Sequence, residues 1–157
     1  MLKVLLFAAI LCQSTALIDA GALSSTDLEI KVFFTNPKIP NGNECDTGEF
    51  VIRKIPRTTQ VADAAVRQLF VGPSANEKAK GMEAIPSLSD YYIGIAIRKE
   101  TAVVNFRPGA EKYLHVDGPL CMQDSVLTPI LKTLRQFPAI NNVDYAINGK
   151  IIEDWDV

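Results

Sequence analysis

The sequence is poor in the residues that most chemistry needs. It holds one histidine and three cysteines, with no C-x-x-C or H-x-x-x-H spacing, so a clustered metal site of the usual His/Cys kind has no ligand set. No serine sits in a G-x-S-x-G context, and a Ser-His-Asp triad would have to recruit His115 from the loop-like "EKYLHVDG". Sixteen Lys and Arg stand against eighteen Asp and Glu, a net charge of −2, so no basic field exists to gather nucleic acid. Glycine and proline number nine each, and no repeat or low-complexity tract marks a linker between domains. The chain has room for one domain with a real core and not for two ordinary ones.

Long apolar runs are also scarce, with one exception at the start. Met1-Leu2-Lys3 is a short positive region, followed by "VLLFAAILC", which falls well short of the ~20 residues needed to span a bilayer. Ser14-Thr15-Ala16 fits a small-x-small cleavage site, which makes 1–16 a secretory leader, with Ala20-Gly21-Ala22 as a later alternative. The expected location is therefore exported, periplasmic or extracellular. Lipidation at Cys12 is the alternative, but Leu11 stands where that chemistry prefers a small residue. With Cys12 leaving in the leader, Cys45 and Cys121 remain as one expected disulfide in an oxidising compartment. In the chain-entropy description such a long closed loop stabilises by about 4 kcal/mol.

After a small, polar lead-in over 17–27, "LEIKVFF" alternates Leu28, Ile30, Val32 and Phe34 against Glu29 and Lys31, the period of a half-buried strand. "EFVIRKIP" over 49–56 reads as a second strand, separated from the first by the turn-rich "TNPKIPNGNECDTG". A helix follows with Val61, Ala65 and Leu69 on one stripe, Thr58 or Thr59 as its cap, and Gly72-Pro73 as its stop. The charged "SANEKAKG" reads as a solvated turn. It fails as a phosphate loop, because Gly72 follows a helix and Gly81 precedes Met82.

"YYIGIAIR" and "TAVVNF" form an expected hairpin about Lys99-Glu100, with Tyr91, Ile93, Ile95 and Ile97 sharing a face. A second helix is expected over 122–137, with Pro129 tolerable in its first turn or at a kink, and "NNVDYAING" gives a final strand and turn. The order β-β-α-β-β-α-β predicts an α+β two-layer sandwich, two helices on one face of a mainly antiparallel sheet, with a domain at 28–150 and an acidic tail at 151–157.

Two surface candidates emerge. Arg53, Lys54 and Arg57 cluster about Pro56 and form a candidate binding surface for an anionic polymer or a protein. Tyr91, Tyr92, Tyr113 and Trp155 could supply an aromatic surface, although core packing is the commoner use of such residues. Glu153 and Asp154 near the C-terminus read as tail charge rather than a placed acid/base pair.

The order of motifs from "CDTGEFVIRKIP" to "GMEAIPS" resembles the GerMN domain family. The resemblance rests on Arg53 with Ile55-Pro56, the helix Ala64 to Leu69, Gly72-Pro73, Glu77, Gly81 and Ile85-Pro86. It continues through "AVVNF" and through Thr133-Leu134, Phe137, Val143 and Gly149, covering about residues 28–150. Some members carry cysteines at the positions of Cys45 and Cys121. The resemblance implies a small exported interaction domain of bacterial envelope proteins, with no catalytic residues and no cofactor to carry over. The expected function is a non-catalytic envelope module binding a protein partner or a cell-wall polymer. The alternatives are a small cell-wall hydrolase using His115, or an exported inhibitor or ligand carrier.

Overall fold

Residues 27–39, 48–85, 88–114 and 120–153 are described by the computed structural model, with the backbone alone for 120–124. The expected strand at 28 is β1, Leu28–Thr35, and it buries Ile30, Val32 and Phe34 as the alternation requires. It pairs in antiparallel register with β2, Gly48–Ile55, from Leu28 opposite Ile55 to Thr35 opposite Gly48. These two strands form a ribbon of their own.

The chain then enters α1, Val61–Val71, whose buried stripe is Ala62, Ala65, Val66 and Leu69. Gly72 ends it at φ +83 and donates its N–H to Leu69 O at 3.0 Å, a backbone angle that glycine adopts without Cβ strain. The cap is not a threonine. Gln60 occupies that position without a side-chain bond, while Thr58 Oγ1 accepts the Gln60 N–H. The charged stretch that follows is not a turn but a short helix, α2, Ala75–Lys80. Ser74 and Glu77 close a capping box at its start, and Gly81 at φ +107 ends it.

A single 3-10 turn at Leu88–Asp90 leads into β3, Tyr92–Arg98, and β4, Thr101–Phe106. They form the expected hairpin across Lys99, which sits at φ +56. A one-turn helix α3, Glu111–Leu114, precedes α4, Leu120–Arg135. Pro129 lies in the interior of α4, not in its first turn, and removes one rung of the ladder there. Phe137 falls just beyond the helix, its N–H on Leu134 O.

β5, Asn142–Ile147, then pairs in parallel with β4, and β6, Lys150–Ile151, folds back on β5. Asn148 and Gly149, both at positive φ, make that last turn, as an Asn-Gly pair does in tight hairpins. Residues 150–152, in part expected as tail, thus belong to the fold, and Ile152 N–H donates to Tyr145 O at 2.9 Å.

The class is α+β, as the element pattern predicts. The strands divide between the ribbon and a four-stranded sheet of order β3-β4-β5-β6, instead of sharing one sheet. The parallel β4–β5 pair has a physical cause, since a long helical crossover through α4 delivers β5 in the same direction as β4. The helices α1 and α4 pack on each other and on β1, and α4 reaches β5. Phe34, Leu69, Leu88, Phe106, Leu114, Ile130 and Leu134 are among the large side chains sealed in the core.

Candidate functional site

The three cations expected to cluster on β2 are not brought together. Alternation along the strand sends Arg53 towards the core side with Val51 and Ile55, and Lys54 to the opposite face with Ile52. Arg53 is committed to α2, with Nη1 and Nη2 donating to Glu77 Oε1 and Oε2 at 2.7 and 2.6 Å. Its guanidinium pKa is raised by that bond, and the Glu77 carboxyl is held down to about 2, chiefly by the same bond. Glu77 Oε2 also accepts the Ser74 N–H at 2.7 Å. One carboxylate therefore closes the capping box and ties α2 to the ribbon. Lys54 lies 3.8 Å from Glu29 in a solvent-exposed pair, and Arg57 is exposed beyond the strand.

The aromatic candidates also separate. Tyr91 and Tyr113 meet at 5.7 Å between ring centroids, with Lys112 over both rings. Tyr92 is buried against Phe70 and Phe106. His115 and Trp155 lie outside the described residues, as do Cys12, Cys45 and the expected leader; Cys121 falls in α4 without a described side chain. Among the described residues no group of three or more His, Cys, Asp or Glu could hold a metal ion. No helix among them is long and apolar enough to cross a membrane.

A concave site does exist, at a place that periodicity alone does not mark. A groove of about 520 Å³ runs between the start of α1, the strand β3 and the segment after α4. Val61 and Ala62 form one wall, Phe137 and Ile140 another, and Ile95 and Ile97 line the strand side. A β-bulge builds that lining. Tyr92 opposes Phe106 while Gly94 opposes Asn105, so Ile93 is an extra residue without a partner. The bulge reverses the parity of the strand and sets Tyr92, Ile95 and Ile97 on the helix-facing side together. The face expected for Tyr91, Ile93, Ile95 and Ile97 is thereby broken. Ile93 and Ile97 keep 41% and 50% of their surface exposed at the rim, unusual for large apolar side chains without a partner.

The polar end of the groove is a closed unit. Tyr92 Oη donates to Asp63 Oδ1 at 2.7 Å, and Arg67 Nε donates to Asp63 Oδ2 at 2.7 Å one helical turn away. Burial, then the adjacent Asp63, pushes the Tyr92 phenol far above its ordinary value, so it remains a donor at any physiological pH. Hydrogen bonding to Asp63 raises Arg67 in turn. The three side chains lock α1 to β3 and spend the one carboxylate that lines the groove among the described residues.

Comparison with known proteins gives a consistent picture. The sequence profile described as Germane, sporulation and spore germination, matches residues 31–153. No curated protein matches the chain. Among solved structures, the chain is similar to the first GerMN domain of the sporulation protein GerM from Bacillus subtilis. They share 21% identity with a TM-score of 0.56, over 83% of this chain and 90% of that one. It is also similar to the tandem GerMN domains of the same protein, at 20% identity and a TM-score of 0.54, over 79% of this chain. It spans 40% of that tandem structure. At these identities the likeness is one of fold.

Proposed function

Because the chain belongs to the Germane family of sporulation and spore-germination domains, we propose that it acts as a non-catalytic, exported interaction module of the cell envelope. Its ligand is a protein partner or a cell-wall polymer. The α1–β3 groove carries this reading: it is open and mainly apolar, and its carboxylate is already engaged by Tyr92 and Arg67. A site of this kind buries ligand surface, whereas proton transfer needs a carboxylate poised near the working pH and free to meet its substrate. The apolar leader-like start of the sequence supports export.

The test is retention of the purified chain by immobilised envelope proteins and by sedimented cell wall, each compared with a chain carrying Ile97→Glu. Retention by either that the substitution reduces supports the module. An intact fold with no retention by either overturns it.

A further inference from the structure

The fold treats the outer edges of β1 and β3 differently. The free edge of β1 is closed by the end of α4 and the residue that follows it. Lys31 N–H donates to Gln136 Oε1 at 2.8 Å, Gln136 Nε2 donates back to Lys31 O at 2.7 Å, and Phe33 N–H donates to Thr133 Oγ1 at 3.1 Å. Thr133 of α4 and Gln136 just past its end thus do for β1 what a neighbouring strand would do. β3 is the terminal strand of the four-stranded sheet, and among the described residues nothing hydrogen-bonds to its outer edge. Half of its main-chain polar groups therefore point away from β4 towards water.

That open edge borders the groove. Below the bulge the ladder is regular from Gly94 to Arg98. Along this length Ile95 and Ile97 flank a depression closed on its far side by Val61 and Phe137. An open edge beside an apolar furrow is the geometry in which an added strand bonds through its main chain and sets alternate side chains into pockets.

Charge fixes the orientation of the demand. At the hairpin end Arg98 and Lys99 are both exposed, and among the described residues neither has an acidic partner. The nearby Glu100 carboxylate accepts from Asn141 Nδ2 at 2.8 Å. At the bulge end Arg67 is bound to Asp63. Two cations against the one Glu100 carboxylate leave the hairpin end of the edge net positive.

We propose that β3 receives an extended segment of a partner protein as an additional strand, with apolar side chains at alternate positions in the groove and an acidic residue beside Arg98 and Lys99. This rests on the binding-module reading and names the protein alternative of that site. The apolar furrow suits alternating apolar side chains, and the cationic end selects a segment with an acidic flank over a neutral one.

Selection of a random displayed peptide library on the full chain, followed by amide hydrogen exchange with the selected peptide, tests this. The expected peptides alternate apolar residues and carry Asp or Glu at one end, and they slow exchange within Gly94–Arg98. Affinity falls by about tenfold or more with Ile97→Glu, with Arg98→Glu, and when alternate peptide amides are N-methylated, which removes strand pairing but keeps the side chains. Both substituted positions are exposed, so the fold survives the changes. Binding without β3 protection, or indifferent to N-methylation, overturns strand addition while leaving the module standing. So does concentration-dependent protection of β3 without peptide, which would make a second copy the occupant. Protection lost on deleting the residues before Asp27 would assign the edge to the chain's own N-terminal segment and overturn the proposal likewise. Retention on purified cell-wall polymer with no peptide selected excludes the protein segment, and failure of both excludes the module itself.

Discussion

Replacing Glu77 by glutamine should destabilise the fold at neutral pH and much less in acid. The substitution keeps an acceptor for the Ser74 N–H and so spares the capping box, but it removes the charge that Arg53 grips at 2.7 and 2.6 Å. A carboxyl held at about 2 in the folded chain against about 4.3 unfolded corresponds to roughly 3 kcal/mol at neutral pH. The pair exposes 21% and 16% of its side-chain surface, and residual solvent screening brings the expected loss to about 1–2 kcal/mol. Because the folded value lies below the unfolded one, the contribution is complete above about pH 4.3 and drains away as pH falls towards 2.

Urea unfolding of the native chain and of Glu77→Gln measures the gap, which should shrink by roughly half or more between pH 7 and pH 3. A cycle with Arg53→Met should return a coupling of about 1 kcal/mol or more at pH 7. A gap equal at both pH values, or a coupling below about 0.5 kcal/mol, would refute the assignment of Glu77 as the charged tie between α2 and the ribbon.

Gln136→Ala removes both bonds that close the β1 edge at Lys31; it should cost about 1 kcal/mol and speed amide exchange at Lys31 specifically. Gly81→Ala should be more damaging than Gly149→Ala in thermal melts. Both have positive φ, but a Cβ on Gly81 would meet Asn36 Oδ1 at 2.6 Å, while one on Gly149 meets nothing within 4 Å. Thiol titration without reductant should find neither Cys45 nor Cys121 free, and two free thiols would remove the proposed disulfide.

Much of the fold is legible because local chemistry decides it. Alternation sets β1 and its buried Ile30, Val32 and Phe34; Gly72 stops α1; Asn148-Gly149 makes the last hairpin. The helix α2 was legible as well, since Ser74 and Glu77 have the S-x-x-E spacing of a capping box. Its many charges instead suggest a solvated turn, as charge does for any short polar stretch. The parallel β4–β5 pair is implied by a long helical connection between two strands. The groove is different. Gly94 and Ala96 are small, so either parity of β3 leaves an acceptable face, and only the bulge at Ile93 decides it. Nor does anything local to Arg53 announce that Glu77, from another element, will claim it.

The outer edges of β1 and β3 show why such pairings escape a linear reading. Strand residues on one edge repeat every second position, about 6.8 Å apart, while Thr133 near the end of α4 and Gln136 just past it are three residues apart, roughly 4.5 Å at the helical rise. The longer glutamine side chain spans the difference, so that Thr133 reaches Phe33 and Gln136 reaches Lys31. Neither residue is unusual at a helix end, and their role appears only once α4 lies along β1. At β3 the adjoining helix is α1, and the side chains it turns to the strand include Asp63, Arg67 and Phe70, with Val61 and Ala62 in the groove. The polar pair satisfies itself and the Tyr92 hydroxyl, and among the described residues neither Asp63 nor Arg67 bonds to the β3 main chain. The same physical requirement is thus met within the fold at β1 and left to solvent at β3, where exposed Ile93 and Ile97 give an incoming strand apolar surface to cover.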